Sequence, residues 1–510
     1  MNPTAARKTS TKKHTPPPLP TRHVYDVLVL GSQLSGALAG ALLAKRGYRV
    51  LHVDPHGLGD CYVDKGYQLP FAPGLVPSLK LMPTAEKALA ELGLSISLSR
   101  LLEAGGGELQ LIFPRHRLDF GASADQRASE VRREFPSDAG RILSAVEAAT
   151  ARAEATDPFF QTSLPLPPGG FFERWAVKKA ARACPAINEE ADGLEPLAST
   201  PFGDALRGLA RFLTYLDDGE AGPLARSRPL ALTLKGAHRF PGGGHGLYQA
   251  LRNRLTELGG DAVGGATEPA SVEELVFEGA RFSGVKLASS HNVYRASHVI
   301  AAMDVDALAP LIPPKIKRKG FAGLFESVRT RRFLFSVNLI VRAEGLPLGL
   351  KELALLSPGD EDLGPVLLEV LPARKGDKPL DEERVLCAAA FASGADRDAG
   401  EARLRELAAR LESAVAGIAP FIEPCVIGRS VPMLDAKGTR GSRLAPHPLL
   451  EIADRAFLGV TGLPHRTRCK NLFLASREVI PGLGIEGELI AGERAAALVQ
   501  ALLHKHDPLK

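Results

Sequence analysis

"VYDVLVLGSQLSGALAGALLAKRGYRVLHVD", Val24 to Asp54, decides the fold. Residues 25–30 are a short run rich in Val and Leu, the composition of a strand buried on both faces. The run breaks at Gly31. Residues 34–45 are packed with small side chains (Ala37, Ala39, Gly40, Ala41, Ala44) and read as a helix. Residues 49–53 form a second strand that ends on Asp54. Strand, glycine turn, helix, strand and acid together make the βαβ unit that binds dinucleotides.

Each position has a physical task. Gly31 permits the tight turn, and Gly36 lets the helix approach the sheet. The helix N-terminus offers free N–H groups and a partial positive charge to a pyrophosphate. Asp54 lies 23 positions after Gly31, where an acid accepts hydrogen bonds from an adenosine ribose. The exception is Gln33, which stands where the middle glycine of G-x-G-x-x-G lets backbone and phosphate come close. Three roles are open to it: pointing outward, donating its amide to a phosphate oxygen, or blocking the site. The plainer alternative is a βαβ unit that binds nothing.

The rest of the composition narrows the class. The chain has 510 residues, 45% hydrophobic and 24% charged, enough for a large core and two to three domains. Its net charge of +5 sits in one place. Residues 1–23 hold Arg7, Lys8, Lys12, Lys13 and Arg22, no acid, and the run Pro16-Pro17-Pro18; they read as a disordered basic tail. Without those five bases the body carries 58 bases against 58 acids, which argues against a nucleic-acid partner. No window approaches 18 uninterrupted apolar residues, so no membrane-spanning helix is expected. Five scattered cysteines (Cys61, Cys184, Cys387, Cys425, Cys469) form no C-x-x-C pair. They read as reduced, mostly buried thiols in a cytoplasm, with no metal site.

Two further segments extend the pattern. "HRFPGGGHGLYQALRNRLTELGGD", His238 to Asp261, reads as a glycine loop and a helix from about residue 246, with Leu247, Ala250, Leu251 and Leu255 as its apolar stripe. Strands follow, closing on an apolar one over 299–303. "CKNLFLASREVIPGLGIEGELIAGERAAALVQALL", Cys469 to Leu503, reads as a buried strand over 471–475 and a turn over 481–484. A helix then opens at Ile485 or Glu486, with Leu489, Ile490, Leu498 and Leu502 on its core side.

In that order and spacing, the three segments resemble the FAD-dependent amine oxidase and phytoene desaturase superfamily, whose fold is shared with the Rab GDP-dissociation inhibitors. The resemblance frames nearly the whole chain after the tail. It implies an α/β fold: a Rossmann-like FAD-binding domain assembled from discontinuous segments, with an inserted α+β substrate domain. The expected division is 1–23 tail, 24–92, 229–312 and 455–510 for FAD, and 93–228 and 313–454 for substrate. Carried onto this sequence, Gly31, Ser32, Gln33 and Gly36 surround the pyrophosphate, Asp54 takes the adenosine ribose, and Val272 meets adenine. Gly484, Ile485, Glu486 and Gly487 lie at the flavin ring, where a helix N-terminus can stabilise negative charge. One departure accompanies Gln33. Where the family often writes A-G-D after its last strand, this chain has Ala475-Ser476-Arg477, and Glu478 is one step out of register.

The implied activity is FAD-dependent oxidation, desaturation or isomerisation of an apolar small molecule, of isoprenoid or carotenoid type. The alternatives are a flavin-free carrier of a prenyl or lipid group, like the Rab inhibitors, and an amine oxidase. No nucleophile–base constellation stands out, and His238 and His245 beside the triple glycine read as structural. The remaining chemistry would belong to the flavin.

Two other stretches have double readings. Residues 93–228 read as mainly helical with one strand over 108–113. Within them "FFERWAVKKAARAC", 171–184, reads first as a core-packing helix and second as one wall of an apolar tunnel. "PPKIKRKGFAGLFESVRTRRF", 313–333, places seven bases beside Phe321, Leu324, Phe325 and Val328. It reads as a solvated helix face before a strand over 333–341, with peripheral docking to an anionic membrane as the alternative.

Overall fold

The computed structural model describes residues 22–55, 61–104, 108–121, 123–239, 243–265, 270–288, 293–376, 378–397, 399–436, 447–453 and 457–504. All but two residues of the basic tail lie outside them. The elements that build the first layer are β1 (Val24–Leu30), α1 (Leu34–Lys45), β2 (Val50–Val53), α2 (Phe171–Ala183), α3 (Pro223–Lys235) and α4 (Gly243–Glu257). They continue with β3 (Asp261–Val263), β4 (Val272–Glu278), β5 (Arg281–Leu287), β6 (Val293–Ala301), β7 (Leu472–Leu474) and α5 (Gly484–His504).

The first sheet runs β4-β5-β6-β1-β2-β3, and β7 joins β6 beyond the end of β5. The pairs β6–β1, β1–β2, β2–β3 and β6–β7 are all parallel. Alternation along β1 shows why the run is continuously apolar. Val27 and Val29 pack with Leu38, Leu42, Leu251 and Leu489 of α1, α4 and α5 on one face. Leu28 and Leu30 pack with Phe159, Val177, Leu224 and Leu275 on the other. Each such fully buried side chain contributes about 1.5–3 kcal/mol. The helices α1 and α5 approach closely because Gly492 has no side chain: a Cβ there would lie 2.3 Å from the Ser35 carbonyl oxygen.

The second sheet has ten strands. Its path runs Val426–Ser430, Val328–Arg342, Lys378–Ser393, Gly364–Lys375, Leu353–Asp360, Leu109–Ile112 and Arg117–Phe120. The hairpin of Cys61–Asp64 and Tyr67–Pro70, close in sequence to β2, bonds to this sheet. A helix over Glu401–Ile418 covers one face with Leu404, Leu407, Leu411 and Val415. Helices Ala139–Ala155 and Pro201–Arg211 cover the other.

Several boundaries differ from expectation. Helix α4 starts at Gly243, three residues early, and α5 starts at Gly484. Along α5, Val499 is buried where Leu498 was expected, and Leu498 is half-buried. The helical period from Leu489 passes through Gly492 and Ala496 to residue 499. A second strand, Arg117–Phe120, pairs antiparallel with Leu109–Ile112; four alternating residues are too short a signal to stand out from one sequence. The basic stretch after residue 313 is two short helices, Pro314–Gly320 and Ala322–Glu326, and the strand starts at Val328. Arg329, Arg331 and Arg332 therefore lie on a strand, and Phe321 is fully buried. The first of these helices carries Lys315, Ile316 and Lys317, and Leu324 and Phe325 lie on the second. The core-packing reading of α2 holds for its small residues only: Val177 and Ala181 are buried in the core, while Phe171, Phe172 and Trp175 are exposed. The cysteines are free; Cys61 is half-buried and the other four are buried. Among the described residues, no helix is long and apolar enough to cross a membrane, and no cluster of His, Cys, Asp and Glu could hold a metal.

Candidate functional site

The parallel strands β1, β2, β3, β6 and β7 end side by side, and of the expected site residues Gly31, Ser32, Gln33 and Asp54 lie just beyond the ends of β1 and β2. Backbone bonds lock them: Gly31 N–H donates to Val53 O at 2.9 Å, Ala302 N–H to Leu30 O at 2.7 Å, and Ala475 N–H to Ala301 O at 2.9 Å. In an open parallel sheet this is the crevice where ligands bind. Gly31 has φ +124, and a Cβ on it would sit 2.0 Å from the Ala302 carbonyl oxygen. Only glycine fits that turn.

Gln33 does not point away. Its Nε2 donates to Asp304 Oδ1 at 2.7 Å, and its Oε1 accepts the Arg477 N–H at 2.9 Å. Arg477 in turn clamps Asp304, Nε to Oδ1 at 2.9 Å and the terminal nitrogen to Oδ2 at 2.5 Å. The departure Ala475-Ser476-Arg477 and the departure at Gln33 are therefore one structure.

The first turn of α1 is occupied as well. Leu34 N–H donates to Glu488 Oε2 at 3.2 Å, and Tyr215 Oη–H donates to Glu488 Oε1 at 2.5 Å. Helix α1 has no acid of its own in its first turn, so this carboxylate from α5 takes the partial positive charge. Glu478 faces the next turn, where its Oε2 accepts from Val305 N–H at 2.9 Å and from Ser476 Oγ at 3.1 Å. Burial raises the pKa of Glu488 and pushes Glu478 well up, with Asp304 adding to the latter. Burial, then Glu488, lifts the Tyr215 hydroxyl well above the phenol range. Arg477 stays charged: desolvation is the largest single influence and works against the charge, but Asp304, with Tyr215 and Glu488, more than offsets it.

Asp54 also has an internal partner. Its carboxylate is fully buried and accepts the Tyr248 hydroxyl of α4 at 2.8 Å. Its backbone oxygen accepts Ala270 N–H at 2.8 Å. Val272 opens the outer strand β4, two residues beyond that contact. At the flavin end, Gly484 and Gly487 are packed against the carbonyls of Leu213 and Ile480. Ile485 lies half-buried against the α1 side of the core. Glu486 is held by Arg228 of α3 through two bonds of 2.7 Å. Arg228 is fully buried and also donates to Asp157, Thr156 and the Ala153 carbonyl.

The residues brought together are thus Gly31, Gln33, Asp54 and the start of α5. Sequence reading missed their partners Asp304, Tyr215, Arg228, Tyr248 and Glu488. One signal was available: two acids, Glu486 and Glu488, fall in the first turns of the helix expected at the flavin ring.

Beside Gly31, His52 is fully buried on β2, with Nε2 2.8 Å from the Gly31 oxygen and Nδ1 unpaired among the described residues. Burial, aided by Arg252, lowers its pKa from 6.5 to about 4. The unfolded chain takes this proton near pH 6.5 and the fold resists it. The stability His52 contributes is therefore complete above pH 6.5 and lost as pH falls towards 4, on the order of 3 kcal/mol. Urea midpoints of wild type and His52→Leu should converge between pH 7.5 and 4.5; parallel profiles would refute the assignment.

No known family's sequence pattern matches the chain, and no curated protein matches it. Solved structures do. An oxidoreductase from Methanosarcina mazei superposes with a TM-score of 0.55 at 14% identity, covering 94% of this chain and 100% of its own. Cyclohexylamine oxidase from Brevibacterium oxydans gives 0.53 at 19%, covering 94% and 99%. A putrescine oxidase variant from a redesign of cofactor binding gives 0.52 at 16%, again 94% and 99%. The chain shares the fold of these oxidoreductases.

The fold thus implies a cofactor cleft, and the residues here do not fit FAD in it. A diphosphate needs free N–H groups and positive charge. At the start of α1 the N–H of Leu34 is taken by Glu488. Around it stand three carboxyl groups (Asp304, Glu478, Glu488) and one guanidinium, Arg477. The middle-glycine position is filled by a side chain bonded across the cleft.

Proposed function

We propose that this chain keeps the oxidoreductase fold without the dinucleotide and acts as a binding protein for an apolar molecule of prenyl or lipid type. The observation that carries this is the Glu488 carboxylate on the Leu34 N–H, a negative charge of the protein's own where the fold would put a phosphate. Gln33 and Arg477 bond each other and Asp304, and Glu488 takes the Leu34 N–H and the Tyr215 hydroxyl, so the groups on the phosphate side have partners within the chain. What supports an apolar ligand is the outward set of aromatic rings on α2. The test is the visible spectrum of the protein as purified, with mass spectrometry of what denaturation releases. No flavin and an isoprenoid or lipid in the organic extract is the expected result; FAD released in proportion to protein would overturn it.

The second reading is an FAD-dependent oxidoreductase acting on an apolar or amine substrate. The fold likeness supports it, since it runs through 94% of the chain and includes two amine oxidases. On this reading Gln33, Arg477 and Glu488 leave the cleft together when the cofactor enters. A yellow protein that bleaches with dithionite would establish it, and peroxide release with an amine would select the amine oxidase form.

A further inference from the structure

Helix α2 carries an outer face that nothing described covers. Phe171, Phe172 and Trp175 are 78%, 82% and 59% exposed, although they are among the largest apolar side chains in the protein. The same helix buries only small residues, Val177 at 0% and Ala181 at 5%. Arg174, Lys178, Lys179 and Arg182 are exposed too. At 100° per residue these three aromatics and four bases fall within about 160° of arc, so rings and cations share one face.

The sole acid of the helix is turned away from that face. Glu173 Oε2 accepts the Gly169 and Gly170 N–H groups at 2.6 and 3.3 Å, and Arg466 pairs with Oε1 at 3.4 Å. Arg466 brings a further exposed base to the beginning of the helix. Lys179 Nζ lies over the Trp175 ring, 5.5 Å from its centre, so cation and indole meet on this face.

We propose that α2 docks the protein on an anionic lipid bilayer, with Phe171, Phe172 and Trp175 entering the headgroup–acyl boundary and the four bases meeting lipid phosphates. Charge complementarity selects this occupant: the face has cations and apolar rings and no available carboxylate. Thirteen residues span about 20 Å as a helix and carry charge throughout, so α2 lies in the interface rather than crossing it. Docking needs nothing in the cofactor cleft; it draws on the same α2 rings that support the apolar ligand above, and vesicle binding tests it apart from what denaturation releases.

Trp175 is the only tryptophan in the chain, so its emission reports on this face alone. The full chain is titrated with phosphatidylcholine vesicles and with mixed phosphatidylcholine–phosphatidylglycerol vesicles. The expected result is a blue shift and quenching by brominated lipid with the anionic vesicles, weakened by salt. Lys178→Ala with Lys179→Ala should weaken binding about 25-fold, about fivefold for each base. Phe171→Ser with Phe172→Ser should remove vesicle binding while the far-UV circular dichroism is unchanged, because both rings are in solvent. Unchanged Trp175 emission with anionic vesicles would overturn the proposal, as would binding that survives both double variants. A concentration-dependent dimer abolished by the Phe substitutions would assign the face to a second copy instead, and a shift with a single-stranded oligonucleotide but not with vesicles would assign it to nucleic acid.

Discussion

Arg228→Met should destabilise the protein by about 3–5 kcal/mol, read as a shift in the urea midpoint. Arg228 is the largest fully buried side chain, and each of its nitrogens donates to an acceptor: two bonds to Glu486 and others to Asp157, Thr156 and the Ala153 carbonyl. Its guanidinium also lies 4.3 Å from the Phe160 ring centre. Desolvation works against its charge, and the carboxylates of Glu486 and Asp157 outweigh it. Methionine would fill much of the volume and strand Glu486, which is 1% exposed. An uncompensated buried carboxylate is the expensive product, not the lost contact. The double variant Arg228→Met with Glu486→Leu should therefore recover most of the loss. A single substitution costing under about 1 kcal/mol, or a double variant no better than the single, would show that the pair is not an energetic unit. The pair matters to the cleft because it anchors the first turn of α5, from which Glu488 reaches α1.

The βαβ frame was legible because its signals are local. A Val- and Leu-rich run, a glycine turn and a helix of small residues each have one conformational reading over a few positions, and α1 has the bounds expected of it. The three-segment assembly was legible through motif order, and β1, β6 and β7 do lie side by side. The chemistry of the cleft was not, because its partners are far apart in the chain. Gln33 and Arg477 are 444 positions apart, Leu34 and Glu488 are 454, and Arg228 and Glu486 are 258. Gln33 and Arg477 each looked like an isolated irregularity in sequence, and their compensation exists only once β1, β6 and β7 are adjacent. The α2 face failed for a related reason. Amphipathic spacing shows that a helix has two faces, but here the small residues Val177 and Ala181 took the inside and the aromatic rings the outside. Hydrophobicity alone predicts the reverse.

Arg477→Met should cost a similar 3–5 kcal/mol at pH 7.5, and this loss should shrink in acid. Arg477 is the cation among Asp304, Glu478 and Glu488, and it also lies 5.7 Å from the Tyr215 ring centre. Removing it leaves carboxyl groups that can lower their energy only by taking up protons, which raises their folded-state pKa values further. An acid whose folded pKa is raised contributes stability that is present below its unfolded value and lost as pH rises through the folded one. The variant should therefore approach wild type as pH falls from 7.5 towards 5, the opposite of the His52 contribution. A deficit that is constant with pH would mean that Arg477 acts by packing. The same variant separates the two functional readings. If Arg477 and the α1 N-terminus received a diphosphate, FAD would raise the melting temperature of the wild type and lose that effect in the variant. With Glu488 already on the Leu34 N–H, neither protein should respond, because the charge that would be neutralised by a phosphate is neutralised by the chain itself.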